Sequence, residues 1–257
     1  MHPNLLLWKD HFLRNIESRY LHNSLGLFWA VLHPLFLFLI YYYVFYQILS
    51  VRLPVQEKSA FMPFLAMGLW PWLAFSESLM QSSNAVLEQK GLLNKVRIAP
   101  WVLIGAQGMS VFVVHLAGFW LVGLVLWMSL DNSWQIAWLQ VAWLWMLLLL
   151  FAVACWHVLG LLRVFLRDVG EMLPPLLMLW FLLTPILYSE WIIPEVAREW
   201  MRFNPMYYFV TRMRQAMLQG GFDPGWWDVG MLAVVLAVVV MGLWLYRRAT
   251  PWLEDFL

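Results

Sequence analysis

Cysteine and charge are both scarce in this sequence. Cys155 is the single cysteine among 257 residues, so no disulfide can form within the chain and no thiolate-rich metal site is possible. Charged residues make up 12% of the chain, whereas a soluble domain carries about 25%. The formal net charge is only +1. The chain therefore has neither a basic surface for nucleic acid nor an acidic surface for cations.

Motifs for catalysis and for nucleotide binding are absent as well. The phosphate-binding pattern G-x-x-x-x-G-K-[ST] does not occur, and no glycine is followed by lysine. The six histidines form neither HExxH nor a tight cluster, and GxSxG is missing. We expect His115 and His157, which lie in apolar stretches, to be hydrogen-bonded within a helical bundle. The sequence thus predicts no catalytic residue, no metal site and no cofactor held by this chain.

Apolar residues dominate the sequence, at 63% with a mean hydropathy of +0.70. A helix needs about 20 such residues to cross a hydrocarbon core of about 30 Å. Stretches that qualify, or nearly so, are 26–49, 61–80, 101–130, 134–162, 172–188 and 229–246. We predict an all-α integral membrane protein with six transmembrane helices, forming a single domain over residues 1–257.

Residues 1–25 precede the first predicted span and form an amphipathic pattern. Large apolar side chains recur at helical spacing at Leu5, Trp8, Phe12, Ile16 and Tyr20. Charged residues fall largely between them, which is typical of a helix lying in the membrane interface. The first span is long and ends without a small-residue cleavage site, so we expect this segment to be retained rather than removed as a signal peptide.

The orientation follows from lysine and arginine, which are kept on the cytoplasmic side of short loops. With the N-terminus inside, the cytoplasmic segments hold Lys9, Arg14, Arg19, Lys90, Lys95, Arg97, Arg163, Arg167, Arg247 and Arg248. The outer segments hold fewer: Arg52, Lys58, Arg198, Arg202, Arg212 and Arg214. We therefore predict that both termini are cytoplasmic.

The outer segment 189–227 is too charged for another span and too apolar for an ordinary loop. We interpret it as two short helices broken at "NP", dipping into the outer leaflet as re-entrant helices. A surface hairpin of interfacial helices is the alternative. Arg212 and Arg214 lie in this segment and are candidates for an outer gate.

A short basic passage, "NAVLEQKGLLNKVRIAP" (84–100), separates the second and third predicted spans on the cytoplasmic side. It can form an amphipathic helix for a groove on a partner protein. The candidate contact residues are Val86, Leu87, Glu88, Gln89, Leu92, Leu93 and Lys95. An ordinary basic loop that satisfies the orientation rule is the alternative.

Two further charged features lie on the cytoplasmic side. Arg163, Arg167, Asp168 and Glu171 follow the fourth span and form a charged cytoplasmic knot that could bridge helix ends; solvated ion pairs of little energetic weight are the alternative. Glu77 lies about 24 Å along its helix from the outer end of the second span. We expect it to line a polar entrance or to accept a structural hydrogen bond, rather than to relay protons.

Four segments of the chain, taken in order, resemble one family of transporters. They are "SRYLHNSLGLFWAVLHPLFLFLIY" (18–41), "PFLAMGLWPWLAFSESLMQSSNAVLEQKGLLNKVRIAP" (63–100), "FLRDVGEMLPPLLMLWFLLTPILY" (165–188) and "FNPMYYFVTRMRQAMLQG" (203–220). With six spans and a matching length, the chain resembles the permease subunits of type-two ABC exporters. These exporters move bacterial O-antigen, capsule and teichoic acid polymers.

This resemblance implies an architecture and a set of partners. Residues 84–100 would be the coupling helix that sits in a cleft of a separate ATPase subunit, which would hold ATP and Mg. Two copies of the chain would form a homodimer with two ATPase copies in the bacterial inner membrane. The cargo would be a lipid-linked polysaccharide, and "FLRDVGEMLP" looks closer to the O-antigen permeases than to the capsule permeases.

The aromatic run "FLFLIYYYVFY" (36–46) is the candidate channel lining. Phe38, Tyr42 and Tyr46 share one helical face and Tyr43 flanks it, so the rings could pack on the C–H faces of sugars. Lipid-facing or packing aromatics are the alternative. For the whole chain, a type-two permease for a small drug or lipid is one competing function. A membrane-embedded glycosyl- or acyltransferase is another, but no paired carboxylates or His-Asp constellation on a substantial loop supports it.

Overall fold

In the computed structural model, residues 3–21, 28–49, 61–93, 98–129 and 136–255 are described. Every regular element within these ranges is helical, which confirms the all-α class. The α-helices are α1 (Pro3–Ile16), α2 (Phe28–Tyr41), α3 (Phe61–Glu88), α4 (Lys90–Leu93), α5 (Pro100–Ser129), α6 (Trp138–Phe165), α7 (Val169–Leu182), α8 (Glu195–Met201), α9 (Pro205–Leu218) and α10 (Trp226–Ala249). Two π-helical segments, Glu17–Leu21 and Tyr42–Ile48, extend α1 and α2.

Three helical stretches in the described part are long and apolar enough to cross a membrane. They are Pro100–Ser129, Trp138–Phe165 and Trp226–Trp252, and two shorter apolar helices cover Leu32–Ile48 and Val169–Leu182. α3 has a comparable length of 28 residues but a more polar composition. This set of helices is typical of a multi-pass membrane protein.

α3 lies at the centre of the fold and packs against α2, α5, α6, α7 and α9. Most of its residues are buried, although the helix is rich in serine. Its buried hydroxyl groups donate hydrogen bonds to backbone carbonyls one turn earlier: Ser78 to Phe75 at 2.9 Å and Ser82 to Leu79 at 3.1 Å. Ser78 and Ser82 therefore bring no unpaired hydroxyl donor into the core.

Glycines on α5 allow indole rings to approach the helix closely. A Cβ atom at Gly108 would lie 2.5 Å from the ring of Trp156, whose Nε1 donates to Ser78 at 3.0 Å. A Cβ atom at Gly118 would lie 2.9 Å from Nε1 of Trp70. A larger side chain at either position would displace a buried tryptophan, so these glycines set the spacing of α3, α5 and α6.

The predicted N-terminal amphipathic helix is present as α1 and packs on α5. A Cβ atom at Gly105 of α5 would lie 3.1 Å from Nε1 of Trp8, and Trp8 stacks on Phe12 with 5.3 Å between ring centroids. His11 on the same helix is also buried. Burial and the nearby Arg14 lower the pKa of His11, so the imidazole is kept neutral against the bundle.

The helix break predicted at "NP" is present between α8 and α9. Asn204 caps α9: its Oδ1 accepts the Met206 amide at 3.0 Å, and Pro205 occupies the first helical position. The same Oδ1 accepts Trp180 Nε1 at 2.7 Å, and Asn204 Nδ2 donates to Thr184 at 2.9 Å. The cap therefore also fixes α9 against the end of α7.

Candidate functional site

The passage between α3 and α5 begins as a direct continuation of α3. α3 ends at Glu88, Gln89 forms a turn, and α4 covers Lys90–Leu93. Glu88 is exposed, whereas Leu87 and Gln89 are half-buried. The predicted contact residue Lys95, and the side chains of Leu92 and Leu93, lie outside the part of the chain that the structure describes.

Val86 does not face a partner, in contrast to the interpretation from sequence. Its side chain is completely buried in the main hydrophobic core of the chain. The physical reason is that α3 continues to Glu88 without a break, so Val86 keeps the inward register of the span above it. The accessible part of the passage therefore begins at Leu87.

A small apolar cluster supports both ends of this passage. Ala85 at the end of α3 packs with Ile98 and with Val102 and Leu103 of α5, and all four side chains are buried. Leu7 and Trp8 of α1, together with Ala99 and Trp101, pack against the cluster. We call this set of residues the basal cluster. It places α1 directly beside the two points where the passage between α3 and α5 enters and leaves the bundle.

Glu77 is the centre of an ionic group that joins three helical elements. Its Oε2 lies 2.6 Å from Nε2 of His115 on α5, and its Oε1 accepts a hydrogen bond from Nη2 of Arg19, which follows α1. The side chains of Arg19 and Glu77 are 28% and 24% exposed, and that of His115 is 4% exposed. Two roles were predicted for Glu77, and in the structure it has the second one, that of a structural hydrogen-bond acceptor.

Sequence reasoning missed that Arg19, Glu77 and His115 meet. The available signal was that Glu77 and His115 are isolated ionisable groups within apolar stretches, where an unpaired charge is costly. The prediction that His115 and His157 are hydrogen-bonded within the bundle is confirmed, since Nδ1 of His157 lies 2.8 Å from the Val153 carbonyl. Among the described residues, no group of three or more His, Cys, Asp or Glu could hold a metal ion.

The charged knot after α6 is looser than a set of ion pairs. Within the described chain, no ion pair joins Arg163 or Arg167 to Asp168 or Glu171. Arg163 instead donates to Ser83 of α3 at 3.3 Å. A Cβ atom at Gly170 would lie 2.3 Å from the guanidinium of Arg163, so this glycine allows the arginine to lie across the turn into α7.

The aromatic run of residues 36–46 packs against α3. Phe38 is buried and lies 6.0 Å from Trp70 between ring centroids, so it belongs to the interface of α2 with α3. Tyr42 and Tyr46 stack at 5.2 Å, and Tyr46 also lies 5.4 Å from Phe61. Tyr43 is 61% exposed. The accessible aromatic surface of the run therefore includes Phe36, Tyr43 and the outer faces of the stacked tyrosines.

Arg214, a candidate for the outer gate, is enclosed by the chain itself. Its guanidinium donates to the carbonyls of Phe64 at 3.1 Å, Pro185 at 2.8 Å and Ile186 at 2.9 Å. It also lies 3.4 Å from the centroid of the Phe64 ring. A Cβ atom at Gly68 would approach the guanidinium to 2.7 Å. Arg214 thus ties α9 to the start of α3 and to the segment after α7.

Arg212, the other gate candidate, belongs to a second network on the same helix. Its Nη2 donates to Oδ2 of Asp228 at 2.6 Å, and both side chains are almost buried. Asp228 also accepts the hydroxyl of Tyr208 at 2.9 Å and the amide of Gly225 at 2.8 Å. This carboxylate therefore fixes α9 to the first turn of α10.

Comparison with known proteins places these features in a family. Residues 8–218 match the ABC-2 type transporter family. The chain is 31% identical over 238 residues to the O-antigen export system permease protein RfbA of Myxococcus xanthus, covering 90% of this chain and 86% of that protein. It is 27% identical over 237 residues to the polysialic acid transport protein KpsM of Escherichia coli, covering 92% of this chain and 90% of that protein.

A third relative is the O-antigen export system permease protein RfbA of Klebsiella pneumoniae. It is 24% identical over 247 residues, covering 92% of this chain and 91% of that protein. The match therefore extends over the helices that carry the passage between α3 and α5, the Glu77 group and the α9 networks. The chain belongs to the ABC-2 type transporter family, and the resemblance to its polysaccharide export permeases is confirmed.

Proposed function

We propose that this chain is the permease subunit of an ATP-driven exporter that moves a lipid-linked bacterial surface polysaccharide, with O-antigen as the first candidate. The proposal depends on one observation above all: relatives named for O-antigen export and for polysialic acid transport align with about nine-tenths of the chain. Members of this family are transporter membrane subunits rather than enzymes, and ATP is hydrolysed in a separate subunit.

The helices support a six-span topology in the inner membrane. α2, α3, α5, α6, α7 and α10 coincide with the six apolar stretches of the sequence. The excess of lysine and arginine on one side supports cytoplasmic termini. α8 and α9 are then re-entrant helices of the outer leaflet, where the Arg212 and Arg214 networks hold a rigid outer cap beside the gate. Two copies of the chain form the transporter with two ATPase subunits.

The passage between α3 and α5 is the drive contact in this proposal. It begins at Leu87 and includes Glu88, Gln89, Leu92, Leu93 and Lys95, while Val86 holds it from the inside. A helix-in-groove contact suits a short apolar surface rimmed by polar residues. ATP and Mg are bound by the partner subunit, because this chain lacks the phosphate-cradling loop.

The aromatic surface of Tyr42, Tyr43 and Tyr46 lines the path of the polymer. Stacked phenol rings offer apolar faces to sugar rings and hydroxyl groups for hydrogen bonds. Such a surface can guide a repeating polymer without binding one unit tightly. Phe38 supports it from within the interface of α2 with α3. On the cytoplasmic side, Arg163 and its charged neighbours join the ends of α3, α6 and α7.

The proposed function is tested by measuring polysaccharide export and ATPase binding in variants of the drive contact. Leu92→Asp and Leu93→Asp should dissociate the ATPase subunit, because burying an unpaired charge in a groove costs several kcal/mol, on the order of 3–5. The measurement is surface polysaccharide, together with co-purification of the chain and its ATPase from a strain that lacks its own exporter.

Leu166→Asp is the matched control, since Leu166 is an exposed leucine in the turn between α6 and α7. It should leave the ATPase bound. If both Leu92→Asp and Leu93→Asp export polymer normally and keep the partner, the passage is an ordinary loop and the proposed drive contact is wrong. If the intact chain binds no ATPase and exports no polymer, the proposed function itself is wrong.

A further inference from the structure

The ionic group around Glu77 joins elements that are far apart in sequence. Arg19 follows α1, Glu77 lies in the middle of α3 and His115 lies in α5, and one carboxylate bonds to both partners. His33 of α2 lies within electrostatic range of the same carboxylate. One side chain thus connects the N-terminal helix with the two central helices of the bundle.

α1 is attached to the bundle at a second point, the basal cluster. There Trp8 lies against Gly105, and Leu7 packs against the cluster. Trp8 and Arg19 are about 16 Å apart along a helix axis, at about 1.5 Å per residue. The N-terminal helix is therefore fastened by apolar packing beside the drive contact, and by an ion pair deeper in the bundle.

The two attachments differ in physical character. The basal cluster is held by apolar packing, which tolerates small sliding movements without losing much free energy. The hydrogen bonds of the Glu77 carboxylate are directional, and both of its oxygens already have partners. It is also costly to leave unpaired beside apolar helices. Arg19 must therefore follow Glu77 when α3 moves.

We propose that Glu77 is a positioning residue that, through Arg19 and with His115 on its other oxygen, makes α1 move with α3 and α5 as one body. The inference rests on the proposed function, in which the ATPase displaces the passage between α3 and α5. That displacement then reaches the N-terminal helix through two attachments. α1 swings at the cytoplasmic membrane surface in step with ATP binding, and frames the entrance for the lipid-linked polymer.

The test follows the position of α1 in the assembled exporter. The permease and its ATPase are reconstituted in lipid nanodiscs, with a spin label at Lys9→Cys and the native Cys155 replaced by serine. Lys9 is exposed on α1, so the label leaves the packed face intact. In a dimer, one labelled position gives one interspin distance, which is measured without nucleotide and with a non-hydrolysable ATP analogue.

The parent protein should show a change in the interspin distance on addition of the analogue. In Glu77→Gln and Arg19→Gln the distance distribution should broaden and the change should be lost. Export per assembled complex should fall about tenfold, within the range that coupling free energies produce. Arg19→Lys, which keeps the charge, should retain most of the change and of the export.

Two comparisons separate a tether from general damage. Glu17→Gln removes an exposed carboxylate from the same π-helical segment as Arg19 and should behave like the parent. The double variant Arg19→Gln with Glu77→Gln should be no worse than Glu77→Gln alone, because Glu77→Gln already removes the ion pair through which Arg19 is tied to α3. A double loss equal to the sum of the single losses would contradict the tether.

The outcomes distinguish this inference from the proposed function. If the intact complex exports polymer but the label shows no response to nucleotide, the tether is wrong and the function stands. The same conclusion follows if Glu77→Gln and Arg19→Gln keep both the distance change and export. If the intact chain forms no complex with an ATPase, the proposed function is wrong.

Discussion

Arg214 and Arg19 are both arginines that hold helices together, but they do so in opposite ways. Arg214 is buried in the fold, and its charge faces three backbone carbonyls and the ring of Phe64. The side chain of Arg19 is 28% exposed and its bond is to the carboxylate of Glu77, which is 24% exposed. One arginine is part of the folded core, and the other lies where two elements meet the surface.

The difference shows which polar groups are permanent and which can serve in a movement. Removing Arg214 takes the donor from three carbonyls, and those of Pro185 and Ile186 lie in the buried interior. Opening the bond between Arg19 and Glu77 lets water replace each partner in part, so its free energy cost is smaller. A fully enclosed arginine network and a partly hydrated tether that moves with its helices are therefore built from the same residue type.

The largest expected effect is that of Arg214→Ala. Three carbonyls lose their donor and a cavity remains beside Phe64 and Gly68, so the free energy of unfolding should fall by at least about 3 kcal/mol. The thermal unfolding midpoint of the detergent-solubilised chain should drop by about 6–12 °C, since 1 kcal/mol corresponds to about 2–4 °C at this size. A drop below about 2 °C would mean that Arg214 is not part of the permanent core.

Asp228→Asn should have the second largest effect. The variant keeps the shape of the side chain but leaves the almost buried Arg212 without its counter-charge. The expected loss of stability is about 2–3 kcal/mol. The same thermal measurement checks it, with Asp223→Asn as a control because Asp223 precedes α10 outside this network. Equal midpoints for Asp228→Asn and the parent would remove this carboxylate from the outer cap.

Glu77→Gln should destabilise the chain less than either change at the outer cap. Glutamine keeps the size of the side chain and can still bond to His115, and the site is partly open to water, so the expected loss is about 1 kcal/mol. The midpoint should fall by about 2–4 °C. A loss as large as that of Arg214→Ala would mean that the Glu77 group is core structure, which would weaken the contrast between the two arginines.

Arg163→Gln should have the smallest effect. Arg163 makes one hydrogen bond, to Ser83 at 3.3 Å, and has no ion pair within the described chain. The expected change in the free energy of unfolding is below about 0.5–1 kcal/mol. A shift of the midpoint above about 4 °C would show that the charged knot after α6 contributes more than its contacts indicate.

The local elements were largely predictable from the sequence. The amphipathic pattern of residues 1–25 predicted α1, and "NP" predicted the break that Asn204 caps. These features depend on residues within a few positions of each other, where helical periodicity and capping rules apply. The lone histidines in apolar stretches likewise predicted internal hydrogen bonds, as observed for His115.

The site was less predictable, because its geometry depends on distant residues. Glu77 and Arg19 are 58 positions apart, and nothing in the local pattern of either residue names the other. Val86 was assigned to a partner contact because a helix was expected to start within residues 84–100. The span instead continues to Glu88 and carries Val86 into the core.

The sequence by itself determined that this chain is a helical membrane protein, since composition is an additive property of its residues, and its missing motifs predict no nucleotide site of its own. It also determined the family, because segments of similar sequence in the same order can be recognised without any knowledge of contacts. Only the tertiary structure decided which arginine is core and which is a tether. That distinction depends on the dielectric surroundings and on the partners of each guanidinium, which helices distant in sequence create by packing together.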